Sequence, residues 1–343
     1  MTRTLFKTAV AALALFGSAA IAQAQDVTLT LQHFLGPKAP PHAKFLEPWA
    51  RKVEAESSGR IKVEIFPAMA LGGKPPELYR QLRDGVVDMV WTVTGYTPGV
   101  FPRTEVFELP TVHNNSAKAT NLAIQDLSET LAEDFKDIKP LLVHVHAGNA
   151  LHLVDGCVDS TAALAGKKLR TPSRTGAWMI ESWGAEPVGM PVPGLPQALS
   201  KGVIDGALIP FEIVPPLKVH ELTTCSVTGA DNARFGTSVF LFGMNKDSYE
   251  ALPDDLKAVI DANSGAAIAQ DTGELWDSIE APGQKMQEGT GSPVNAMDQA
   301  ATDAFKTAGE TVVQRWIEEA SAAGLDAQGI VDAARAAIAQ HTN

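Results

Sequence analysis

Residues 166–207 read GKKLRTPSRTGAWMIESWGAEPVGMPVPGLPQALSKGVIDGA. Lys168 to Thr171 is a short β-prone run, Thr175 to Gly184 carries apolar residues at helical spacing, and Glu186 to Met190 is extended again. A helix near Leu195 to Lys201 and a strand over Val203 to Ile209 continue the alternation, which is the pattern of βαβ units around a largely parallel sheet. Arg170 ends the first of these strands, just before Thr171-Pro172, so its side chain is expected at the carboxyl edge of the sheet. Ligands of open α/β folds sit in the crevice outside that edge. A planar guanidinium there can hold a carboxylate through two parallel hydrogen bonds. The plainer alternative, an arginine that pairs with a protein carboxylate or caps a helix, is the commoner fate of a lone arginine.

Working outward, the same alternation fills the chain. Val27, Leu29 and Leu31 alternate as in a strand, which the segment from Gly36-Pro37 to Pro41 breaks. Helical spacing over Phe45 to Ser57 ends at Ser58-Gly59, and Ile61 to Phe66 is a strand; a helix over Pro75 to Asp84 precedes a strand over Val86 to Val93. A second set contains strands at Leu141 to His146 and Leu151 to Val154 and a helix at Thr161 to Leu164. Beyond a Pro215-Pro216 turn, Thr237 to Met244 is strongly β-prone, and the chain from Pro253 onward is Ala-, Glu- and Gln-rich with helical periodicity, interrupted at Gly289 to Pro293. About 320 residues exceed what one core usually supports, so two lobes are expected. With no short internal repeat and no low-complexity linker, several ordered crossings should join them as a hinge.

Residues 1–24 have the layout of an export signal: Arg3 and Lys7, an apolar run from Ala9 to Ala20, then Ala22-Gln23-Ala24 with cleavage expected before Gln25. An uncleaved anchor fits less well, because Gly17 and Ser18 interrupt a run already short for a bilayer. The mature chain is therefore expected to be soluble and periplasmic. Its net charge of −12 becomes −14 once Arg3 and Lys7 are removed, which argues against nucleic acid or an anionic membrane as partner. An acidic protein that binds an anion must concentrate positive charge inside a pocket, so single buried arginines are the residues to seek. Cys157 and Cys225 are the only cysteines. In an oxidising compartment they predict one disulfide, closing a loop of about 70 residues and stabilising by roughly 4 kcal/mol on the chain-entropy argument; two free buried thiols are the alternative.

Catalytic signatures are missing: no GxSxG, SxxK, HExxH, Walker A loop or GxGxxG after a strand occurs. His144 and His146 share a strand face, with His152 close by, but no acidic or cysteine cluster accompanies them, so neither a metal nor a cofactor is expected. His152 lies where the chain should pass into the second lobe.

Taken together, the stretch from Gly166 to Gly176, then Gly184-Ala-Glu-Pro-Val-Gly-Met-Pro and Ala198-Leu-Ser-Lys-Gly-Val-Ile-Asp-Gly, resembles the solute-binding proteins of tripartite ATP-independent periplasmic (TRAP) transporters. The likeness continues through His33-Phe34-Leu35, Gly85-Val-Val-Asp-Met, Phe107-Glu-Leu-Pro, Met244-Asn-Lys and Leu252-Pro. It implies an α/β fold of two lobes with a ligand cleft between them and a long lobe-spanning helix, supplied by Asp254 to Trp276 or beyond. Lobe I would be 25–147 plus 236–275, and lobe II 148–235 plus 276–343. It implies too that Arg170 binds the carboxylate of a small organic acid, that the lobes close on it, and that membrane permease subunits receive it. An extracytoplasmic ligand sensor would share this pocket, and a periplasmic hydrolase or isomerase would need a nucleophile or an acid/base pair in the cleft.

Departures from the family pattern bear on the ligand. Where relatives continue Gln-Glu-Asn-Pro, this chain has Ala207-Leu208-Ile209-Pro210-Phe211, so Ile209 replaces a polar contact; the first-lobe strand ends in Trp91-Thr92-Val93. A second carboxylate or a ring of hydroxyls would be buried unsatisfied in such a lining, at roughly 1 to 3 kcal/mol per group. The expected ligand is an aromatic or branched monocarboxylate, stacked near Trp91, Trp178 or Phe211 with its acid on Arg170; core packing is the alternative for each ring. Glu212 either neutralises a cationic ligand group or faces Lys218. Tyr96, His33 and His152 are candidate hydrogen-bond partners, and Arg234-Phe235 could place a cation or ring at the cleft.

Overall fold

Eleven strands form two separate sheets within residues 27–342, the part of the chain that this computed structural model describes. The expected export signal, 1–24, lies outside the described residues. The first sheet, in the order β2-β1-β3-β10-β4, comprises β1 (Val27–His33), β2 (Ile61–Phe66), β3 (Met89–Val93), β4 (Ile138–Val145) and β10 (Val239–Asn245). The second runs β11-β9-β5-β8-β6-β7, built from β5 (Ala150–Leu153), β6 (Lys168–Thr171), β7 (Glu186–Gly189), β8 (Gly206–Ile209), β9 (Cys225–Thr228) and β11 (Val294–Ala296). The helices in chain order are α1 (Glu47–Glu56), α2 (Leu78–Arg83), α3 (Ala117–Asp126), α4 (Ser128–Leu131), α5 (Arg174–Ser182), α6 (Leu195–Ser200), α7 (Val214–Leu217), α8 (Lys246–Glu250), α9 (Asp254–Ala262), α10 (Ala266–Gly289), α11 (Gln299–Ala322) and α12 (Ala327–Gln340).

The sheets are mixed rather than largely parallel, and the exceptions follow one rule. β10 runs antiparallel to both β3 and β4, and β5 antiparallel to both β8 and β9, while the remaining pairs are parallel. β5 and β10 are the strands by which the chain enters one lobe from the other. A strand arriving from the cleft must run against βαβ strands whose carboxyl ends point at the cleft. The two lobes thus share a topology, 2-1-3-10-4 against 7-6-8-5-9, that no stretch of similar residues announces.

Strand cores are apolar, and helix starts are capped. Leu29, Leu31, Ile61, Val63, Met89 and Trp91 pack the first lobe, Leu151, Leu153, Leu169, Ala207 and Val227 the second, all no more than 2 % exposed. Ser116 and Ser173 cap α3 and α5 by accepting from the N–H of Ala119 and Gly176, each three residues on. The disulfide Cys157–Cys225 ties the loop after β5 to β9.

The long carboxyl-terminal run is two helices, not one. Asn263 to Gly265 separate α9 from α10, and Gly265 takes a left-handed φ of 55° that ends helical geometry. α10 has 24 residues, about 36 Å at 1.5 Å per residue, and touches both lobes. At Gly273 a β-carbon would stand 2.3 Å from Lys118 Cα in α3, and at Gly283 one would stand 1.9 Å from the carbonyl oxygen of Phe211. Three residues apart on this helix, Asp277 accepts the N–H groups of Ala117 and Lys118, and Glu280 those of Phe211 and Glu212. One helix thereby caps a turn in each lobe. Beyond it, α11 packs on α5, whereas α12 returns to α3, so the last helix lies with the first lobe, unlike the 276–343 assignment. No helix among the described residues is long and apolar enough to cross a membrane.

Candidate functional site

The ends of β3, β6, β8 and β10 converge on a cavity between the lobes. The first lobe contributes Phe34, Leu35, Pro41, Trp91, Val93, Tyr96, His146, Ser238 and Phe240; the second contributes Arg170, Pro172, Val192, Ile209, Pro210, Glu212 and Ile213, with Asn149 in a crossing. Val93 and Ile209 end equivalent strands, and Tyr96 and Glu212 each stand three residues further on.

Arg170 is 3 % exposed. Its Nε donates to the carbonyl of Met190 at 2.9 Å and its Nη1 to that of Leu208 at 3.4 Å. No carboxylate among the described residues forms an ion pair with it. Burial lowers its pKa and the neighbouring Tyr96 hydroxyl raises it; a guanidinium starts so far above neutrality that it keeps its charge. The Tyr96 hydroxyl accepts from the Val192 N–H at 3.0 Å, a bond across the cleft.

Opposite the arginine the wall is aromatic. Trp91 stacks on Phe34 at 5.1 Å and 17° and on Phe240 at 4.7 Å and 10°, and Tyr96 meets Phe34 edge-on. The indole Nε1 of Trp91 donates to His144 Nε2 at 2.9 Å. An acceptor nitrogen must be unprotonated, and burial pushes His144 down to about 3, so the neutral ring fixes the tryptophan edge.

The lobes also meet outside the cavity. Arg174 of α5 holds Glu105 through two bonds of 2.8 and 2.5 Å, and Thr175 donates to Glu108 at 3.1 Å. Burial pushes Glu108 up to about 7. Gly95 leaves room for Ser173, whose Cβ would lie 2.6 Å from an added β-carbon.

Of the candidates drawn from the sequence, Arg170, Trp91, Val93, Tyr96, Ile209 and Glu212 line the cavity. The others do not. Trp178 is on α5 between the guanidiniums of Arg174 and Arg315, at 5.0 and 4.2 Å from its ring centroid, because the helix turns it away from the cleft. His152 is buried behind the wall, bonded to the Ile209 carbonyl and the Ser226 hydroxyl, with Phe211 against its ring. His33 pairs with His42 at 2.8 Å beneath the wall. Arg234 pairs with Glu280, and Phe235 packs on Trp183 and Phe305. Lys218 pairs with Glu221 at the surface rather than with Glu212. Phe34, Phe240, Asn149 and Ser238 were not among those candidates; Phe34 sits inside the His33-Phe34-Leu35 motif and Phe240 inside the β-prone run, where alternation alone would have placed each on a face. No group of three or more His, Cys, Asp or Glu among the described residues is placed to hold a metal.

Two sheets of one topology, repeated crossings between them and a buried cation with no carboxylate partner among the described residues define a binding protein of the two-lobed, hinge-and-cleft class. The chain belongs to the bacterial extracellular solute-binding proteins, family 7, whose sequence profile matches residues 31–319. Among solved structures it is similar to a TRAP solute-binding protein from a marine metagenome, specific for aromatic acid ligands and solved with 3-hydroxybenzoate: 46 % identity, covering 93 % of this chain and 100 % of that one, with a TM-score of 0.91. A TRAP solute-binding protein from Rhodoferax ferrireducens, solved with copurified benzoate, is 40 % identical over 92 % of this chain and 98 % of that one, with a TM-score of 0.89. An outer membrane transporter protein of Comamonas testosteroni, TsaT, is 25 % identical over 321 residues, 92 % of this chain and 93 % of its own length. The protein is a solute-binding protein of the TRAP type.

Proposed function

We propose that the protein captures an aromatic monocarboxylate, with Arg170 holding the acid group and the Trp91, Phe34 and Phe240 rings flanking the ligand body. The observation that carries this reading is the Arg170 guanidinium, 3 % exposed, bonded to two backbone carbonyls and the Tyr96 hydroxyl, with no carboxylate paired to it among the described residues. A buried charge without a counter-ion is costly, so an entering carboxylate gains more there than it would in water. The apolar lining supports one acid group and disfavours a second or a sugar ring. Two relatives at 46 % and 40 % identity were solved with aromatic acids, which supports the same ligand class. Lobe closure would exclude water from the pair, and the closed form gains only the ligand's differential affinity for it. The signal at 1–24 would send the chain to the periplasm, where membrane permease subunits would receive the ligand.

A thermal-shift and calorimetric series tests the reading: benzoate, phenylacetate, a branched aliphatic acid, succinate and a sugar acid. Aromatic monocarboxylates should bind, and at 100 times the Kd stabilise the fold by about 2.7 kcal/mol. Binding confined to succinate or the sugar acid would reject it, and conversion of a ligand to product would point to an enzyme.

A further inference from the structure

Glu212 shares the cavity with Arg170. It is 4 % exposed, its Oε2 is closed off from solvent, and its carboxyl shares a hydrogen bond with that of Glu280. A carboxyl bonded behind the wall in this way can still accept from a group in the cavity through its other oxygen. The cluster behind it accounts for its charge state. Glu280, from α10, accepts the N–H of Phe211 at 3.1 Å and of Glu212 at 2.9 Å. It lies 2.9 Å from Arg234 Nη1 in a buried ion pair. Arg234 in turn covers the ring of Phe211 at 4.8 Å. The cluster therefore holds two buried carboxyls and one guanidinium, and that cation is committed to Glu280. Burial first, and the charge of Glu280 second, hold Glu212 well above the usual carboxylate range. With its O–H committed to Glu280, the neutral carboxyl keeps a carbonyl acceptor, and it does not repel an acid held on Arg170.

We propose that Glu212 reads a hydroxyl on the ring of the bound aromatic acid, making the site select hydroxylated ring acids over the bare ring. This rests on the aromatic-acid reading above. Ile209, Ile213 and Val192 share the second-lobe wall with Glu212, while His146, Asn149 and Ser238 line the cavity from the first lobe and a crossing. A site built to bond a ligand hydroxyl discriminates against the analogue without it, because the protein group is then left bare. For one neutral pair the preference should be roughly tenfold.

Isothermal titration of the purified protein with benzoate, 3-hydroxybenzoate and 4-hydroxybenzoate tests this. The better hydroxy isomer should bind about tenfold tighter than benzoate. Glu212→Gln, whose amide also donates and accepts, should keep most of that ratio, and Glu212→Leu should bring it to about one. The wild-type protein supplies an independent check should Glu212→Leu not fold: the methyl analogue of the better isomer, equal in bulk but without a polar atom, should bind no tighter than benzoate. A wild-type ratio near one, a methyl analogue as tight as the hydroxy acid, or a Leu variant that keeps the full ratio overturns the role of Glu212 while leaving the aromatic-acid reading intact. If none of the three acids binds, the aromatic-acid reading fails and this assignment with it.

Discussion

Replacing Arg170 should separate binding from folding. Arg170→Ala removes a buried cation that has no protein counter-charge, so the ligand-free melting temperature should stay level or rise. Affinity for the acid should drop about 100-fold or more by calorimetry, as expected for loss of a bidentate charged pair. Lysine should not rescue it, since a point charge on a flexible stem cannot reproduce the planar fork; unchanged affinity in either variant would remove the anchor. Arg170 was readable in the sequence because a strand, its end and the following proline are local facts. The aromatic wall was only half readable. Trp91 and Val93 end a recognisable strand, but that Phe34 stacks on Trp91 depends on the pairing of β1 with β3, and that Phe240 does so on a β-strand inserted from far along the chain. Trp178 misled because nearness to Arg170 in sequence says nothing of which side of α5 faces the cleft.

At the scale of elements, α10 is the part least tolerant of change. Gly283→Ala would drive a β-carbon to within 1.9 Å of the Phe211 carbonyl, which cannot yield without moving the turn that presents Glu212. A loss of about 2 kcal/mol or more is expected in urea unfolding, together with weaker ligand binding. Gly289→Ala, in the last turn of the same helix with open space around it, should be neutral or stabilise by up to about 1 kcal/mol. Equal effects at the two sites would mean that close packing is not what glycine serves at 283. Most strands and several helices were readable from periodicity, with β2 and β6 bounded as the sequence suggested. Strand direction was not: β5 and β10 have the same residue pattern whichever way they run, and only their arrival from the opposite lobe decides it. Nor did helical periodicity reveal the break at Gly265.

For the molecule as a whole, stability should respond to pH through Glu108, which links its turn to Thr175 of the other lobe. Its pKa is raised to about 7 in the folded protein from 4.5. The folded state therefore binds this proton more tightly, and the associated stability is complete below pH 4.5 and lost as pH rises through 7. The shift corresponds to roughly 3 kcal/mol at 1.36 kcal/mol per pH unit. Urea melts at pH 5, 6 and 8 should show wild type losing ground to Glu108→Gln over that span; a constant difference would mean that the carboxyl titrates normally. The two-lobe plan was readable from chain length and the repeated βα alternation, but the common topology of the lobes was not, because it is written in connections rather than in residues. Those connections also govern the order of assembly. β5 to β9 occupy one continuous stretch, 150–228, whereas β3 and β4 flank a slot that stays empty until Val239–Asn245 has been made. As the nascent chain emerges from its amino end, the half bearing Arg170 can condense while its elder neighbour still waits, two raw strand edges open to mispairing. The ring stack that faces the ligand is finished by the latecomer, so the recognition surface cannot exist before nearly three quarters of the polypeptide has been synthesised.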